Sequence, residues 1–98
     1  MATKEYLERV KLTVEQVHGC SARYVRSEHV KEVFEGKTVW EGDVEVFCLN
    51  GHAKAMWCYG WSCGEPEEFI TILELPPVDS AQSAVKVGVA NQIKKSNG

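Results

Sequence analysis

Cys48-Leu-Asn-Gly-His52-Ala-Lys-Ala-Met-Trp-Cys58-Tyr-Gly-Trp-Ser-Cys63 places three cysteines and a histidine within sixteen residues, the ligand types of a structural zinc site. The same run holds Asn50-Gly51 between strand-forming residues, the pattern of a two-residue β-hairpin turn. The two readings demand different geometries, and strand register decides between them. A two-residue turn makes Leu49 and His52 the closing pair, so that Cys48 faces Ala53, Val46 faces Ala55, Val44 faces Trp57, Gly42 faces Tyr59 and Trp40 faces Trp61. Opposed residues share a sheet face and faces alternate along a strand. One face then reads Trp40, Val44, Val46, Cys48, Ala53, Ala55, Trp57, Tyr59 and Trp61, a core with Trp57 as its most buried member. The other reads Glu41, Asp43, Glu45, Phe47, Lys54, Met56 and Cys58. Cys48 and Cys58 point through opposite faces, so one zinc ion cannot collect the set. The expectation is a hairpin with small apolar thiols and no metal or cofactor.

Outward from the hairpin, the chain divides into regular elements. Tyr6, Leu7, Val10, Val14 and Val17 recur at spacings of three and four, which predicts an amphipathic helix over 3–17 with Thr3 as N-cap and Gly19 as its stop. Asp79 and Gln82 form a capping-box pattern after Pro76-Pro77, and Ala81, Val85, Val89 and Ile93 make a face, which predicts a second helix over 79–95. Between them, runs rich in β-branched and aromatic residues predict strands near 23–34, 38–49, 52–62 and 68–75. The expected fold is α+β: a two-layer domain in which a four-stranded antiparallel meander is flanked by an N-terminal and a C-terminal helix, both most simply on one face. With 98 residues the chain is expected to be a single domain, 1–98, with its last few residues disordered.

Composition narrows the function classes. The chain is 44% hydrophobic and 26% charged, ordinary for a globular protein, and no run approaches the roughly 20 apolar residues of a membrane span. The start Met1-Ala-Thr-Lys-Glu-Tyr lacks the basic and then apolar run of a signal peptide, and four cysteines in such a chain suit thiols better than bridges. A cytoplasmic location is the expectation. The formal net charge of -3 argues against a footprint for nucleic acid.

Candidate functional residues lie on the sheet. On the face carrying Glu41, Asp43 and Glu45, the first strand offers Val25, Ser27, His29 and Lys31, which puts His29 and Lys31 across from carboxylates. His29 beside an acid, or a thiolate, could serve a small enzyme, but no nucleophile, oxyanion nest or phosphate loop accompanies it, and a solvated ion pair is the expected role. Arg26 and Glu28 fall on the core parity beside Tyr24 and Val30. They are read as edge protection, a small polar pocket or a bulge that shifts the register. Trp40, Trp57, Tyr59 and Trp61 could stack bases or sugars, but their grouping with Val44 and Val46 makes them core. The fourth strand is apolar on both sides: Phe69, Thr71, Leu73 and Leu75 alternate with Ile70, Ile72 and Glu74. Phe47, Met56, Ile70 and Ile72 are therefore expected to form an interface, and a homodimer is the simplest way to cover it.

The order helix, strands, helix resembles the layout of double-stranded RNA-binding domains over most of the chain. That resemblance implies a nucleic-acid module whose second helix starts with lysines that grip phosphates. Here the start reads Asp79-Ser-Ala-Gln-Ser-Ala-Val with no lysine before Lys86, and four strands are expected where that family has three. The acidic sheet face would repel an A-form backbone. The sequence thus leads to a small non-enzymatic domain that self-associates and binds a protein partner or small ligand. Nucleic-acid binding and catalysis through His29 or a cysteine are the alternatives.

Overall fold

The computed structural model describes residues 3–64 and 67–97, with side chains to Asn91. Its elements follow the order α1 (Lys4–His18), β1 (Ser21–Phe34), β2 (Lys37–Asn50), β3 (Trp57–Cys63), β4 (Glu68–Leu73) and α2 (Ala81–Asn97), and the four strands form one antiparallel sheet in sequence order. The fold is α+β with the arrangement α-β-β-β-β-α.

The ends of α1 are where the sequence puts them. Thr3 Oγ1 accepts the backbone N–H of Tyr6, and Gly19 adopts φ 64°, the left-handed conformation that closes a helix C-terminus and that glycine enters without a Cβ clash. The start of α2 differs from expectation. Ser80, rather than Asp79, caps the helix by accepting from Ser83 N (3.2 Å), and Ser83 Oγ reciprocates by accepting from Ser80 N (3.0 Å). Gln82, the expected partner in the box, turns away to donate to Lys31 O and Glu32 Oε2 of β1. The helix runs on to Asn97, so only Gly98 of the tail expected to be disordered lies outside the described residues.

The tight two-residue turn falls elsewhere than the sequence reading places it. Glu35 and Gly36 have φ values of 52° and 77° and join β1 to β2, with Phe34 opposite Lys37. Both central residues at positive φ give the turn whose twist matches a hairpin. Asn50, by contrast, stays in β2 because it pairs with Ser21 of β1. The chain then makes a wide loop closed by Leu49 N–H donating to Met56 O (2.7 Å), while His52 Nδ1 accepts from Lys54 N and Ala55 N. Val46 consequently faces Tyr59, not Ala55, a slide of four residues along β3. An even slide preserves the faces, since side chains alternate with period two. Trp57, now opposite Cys48 at the loop end of β3, is only half-buried, and the most deeply buried tryptophan is Trp61.

The helices do not share a face. Val30, Val44, Val46, Tyr59 and Trp61 pack with Val78, Ala81, Ala84 and Val85 of α2 and the segment before it. Phe47, Leu49, Cys58 and Ala22 pack instead with Val10 and Val14 of α1. The sheet therefore carries one helix on each side, where both were expected on one. Glycines mark the closest approaches: a Cβ on Gly60 would lie 2.7 Å from Val10 Cγ1, and one on Gly88 would lie 2.6 Å from Trp61 Cζ2. Both backbones come nearer than any side chain would permit.

A bulge at Val25 completes the frame. Tyr24 pairs with Phe47 and Arg26 with Val46, so Tyr24 lies on the α1 side and Arg26 on the α2 side. A second irregularity between Glu32 and Val33 adjusts the register before the turn.

Candidate functional site

Two surface features carry chemistry, and the first is the acidic half of the sheet face that α1 leaves uncovered. Three acids alternate along β2, and the antiparallel register sets His29 directly opposite Asp43. His29 reaches both flanking carboxylates, with Nε2 2.9 Å from Glu41 Oε2 and Nδ1 3.1 Å from Asp43 Oδ1. The Glu41 hydrogen bond, and then that of Asp43, holds the imidazole above its ordinary pKa, while His29 pulls Glu41 below the usual carboxylate range. This is the cross-strand pairing expected from the sequence.

Glu45, two residues further along the same face, is in a different environment. The first turns of α1 close over it, and it is completely buried. Ser27 donates a hydrogen bond to Oε1, and Ser27 Oγ in turn lies 2.8 Å from Tyr24 Oη. Oε2 has no hydrogen-bond partner among the described residues. Burial, the largest influence, pushes this carboxyl above the usual range, and nearby Asp43 adds to the effect. Tyr6 of α1 stands at the same place: its hydroxyl accepts from Ser62 N (3.1 Å) and donates to Ser62 Oγ (3.2 Å), which ties the helix to β3. Desolvation raises the Tyr6 pKa. Glu41, Asp43, Glu45, Tyr6, Arg9 and Ser62 border a cleft of about 480 Å³ between the N-terminal turns of α1 and the sheet.

The second feature is the tip of the β1–β2 hairpin. Val33, Phe34 and Val39 are exposed there, and with Glu32, Lys86, Val89 and Ala90 they border an apolar groove of about 360 Å³ against α2. Two charged residues share its lining: Glu32, buried on β1 and held by Gln82, and Lys86 of α2.

The structure distributes the four expected interface residues rather than gathering them. Phe47 is fully buried under α1, Ile70 and Ile72 pack against the α2 side, and Met56 alone stands out, 69% exposed on the wide loop. Both sides of β4 have a helix to pack against, and Phe69, Ile70, Ile72 and Leu73 are partly buried there. Arg26 and Glu28 form an exposed ion pair at 2.9 Å on the edge strand. None of the four cysteines forms a disulfide, and burial pushes the Cys58 thiol up to about 12, so it stays protonated. Among the described residues no three histidine, cysteine or acidic side chains are arranged to hold a metal ion, and no helix is long and apolar enough to cross a membrane.

The sequence reading missed Glu45 and the hairpin tip. Parity groups Glu45 with Glu41 and Asp43 and does not separate it from them; Gly60, which pairs with Glu45, leaves a gap that a helix can enter. For the tip, the visible signal was Val33 and Phe34 continuing apolar up to a turn, where alternation gives them no core to face. Compared with known proteins, the chain matches no family model, no curated protein and no solved structure.

Proposed function

We propose that the protein is an intracellular, non-enzymatic domain that works by self-association into a two-fold dimer, and that in this form it binds a partner or small ligand. The observation that carries the proposal is Phe34, 56% exposed beside the groove that it borders with Val39, Val89 and Ala90. One surface thus offers both a protruding ring and a recess. An isologous contact needs that self-complementarity, because each copy must present what the other receives. Exposed apolar surface of this kind is also where association gains most from excluding water.

Other features favour binding over catalysis. The Cys58 thiol is unreactive at neutral pH, and both ring nitrogens of His29 are engaged by carboxylates. The intracellular placement is supported by four cysteines without a disulfide.

Light scattering at micromolar concentration tests the proposal. The unmodified protein should have the mass of two chains, and Phe34→Lys should return it to one without loss of the folded circular-dichroism spectrum. A single-chain mass for the unmodified protein, or a dimer that survives Phe34→Lys, would overturn it.

A further inference from the structure

A buried carboxylate oxygen without a hydrogen bond is costly, because it has given up water and received nothing in exchange. Among the described residues Glu45 Oε2 is the one buried side-chain oxygen or nitrogen in that state. Its residue borders the cleft beneath the first turns of α1, where Tyr6 Oη and Ser62 Oγ lie, and Asp43 and Glu41 continue the acidic strip toward the opening. We propose that this cleft binds an organic ammonium group, with Glu45 Oε2 as its buried acceptor and Asp43 and Glu41 supplying the surrounding negative charge.

The arrangement selects among cations. Ser27 already occupies Glu45 Oε1, so one oxygen remains, and a guanidinium that recognises a carboxylate through both oxygens finds half a site. A divalent metal needs several oxygen ligands, and no three acidic or histidine side chains are arranged to supply them among the described residues. An ammonium is a compact charge on an alkyl stem and needs one strong acceptor with polar neighbours. The remaining acids keep a role. Glu41 and Asp43 each give one oxygen to His29 and border the same cleft as Glu45. Arg9, which borders the cleft, is drawn aside: its guanidinium pairs with Glu67 at 3.2 Å and lies over the Phe69 ring. The raised proton affinity of Glu45 fits a carboxylate that ionises when a cation arrives.

The probes are n-butylammonium and Nα-acetyl-lysine amide, titrated into isotope-labelled protein and followed by amide and carboxyl resonances. Saturable shifts at Tyr6, Glu45 and Ser62, weakened at least tenfold by Glu45→Gln, are expected, together with a fall in the Glu45 carboxyl pKa on saturation. Tighter binding of the lysine derivative would assign the site to lysine side chains, and equal binding to free amines. Absence of saturable shifts, an unchanged Glu45 pKa, equal affinity in Glu45→Gln, or n-butylguanidinium binding as tightly would each overturn the proposal. The carboxyl titration is made on the unmodified protein, so the test stands even if the variant fails to fold.

Discussion

His29 shows how much a single side chain can take from its register. In the imidazolium form it donates to Glu41 through Nε2 and to Asp43 through Nδ1, whereas the neutral ring can donate to only one of them. Its folded pKa is raised, first by Glu41 and then by Asp43. The resulting stabilisation is fully present below the unfolded value of about 6.5 and is lost as pH rises through the folded pKa. An NMR titration of the ring should give a value above the unfolded one, and Glu41→Gln should lower it more than Asp43→Asn does. A midpoint at the unfolded value would show that the pairing does not form in solution. This contact was legible in the sequence, because His29 and the acids share a parity on adjacent strands. Glu45 was not, although it shares that parity, because alternation assigns a face but not what lies over it.

At the scale of elements, the strand faces were readable and the helix placement was not. The hairpin slid by four residues, yet Val44, Val46, Tyr59 and Trp61 stayed together because an even shift leaves faces intact. What moved was everything that depends on distance from the turn, Trp57 above all. Both helices had an apolar side, and periodicity gives no sign of which sheet face each will take. The small residues do. Gly60, between Cys58 and Ser62, opens the α1 face, while Ala81, Ala84 and Gly88 line the side of α2 that meets Trp61. Gly88→Ala should therefore push the helix from a rigid indole ring and cost about 1–3 kcal/mol in urea denaturation, the range for overpacking a filled core. A stability equal to that of the unmodified protein would mean that α2 stands further from the sheet.

For the whole molecule, the consequence of one helix per face is that both sides of the sheet have a helix to pack against, while Val33, Phe34 and Val39 at the hairpin tip stay exposed. Phe47 is buried in one core, Ile70 and Ile72 pack half-buried against the other, and the exposed apolar residues shift from the middle of the sheet to Val33, Phe34 and Val39. The sequence shows that apolar residues exceed what a singly covered sheet can bury. Hydrophobic periodicity does not say that a second helix supplies the cover, since that depends on the chain's path across the sheet. The most direct measurement is an isotope-filtered NOE experiment on a mixture of carbon-13-labelled and unlabelled protein, which detects contacts between copies alone. Cross-peaks from the Phe34 ring of one copy to the methyl groups of Val39 and Val89 in the other are the predicted result. A spectrum without them, or with contacts from Leu12 and Val17 on the outer side of α1 in their place, would contradict the account.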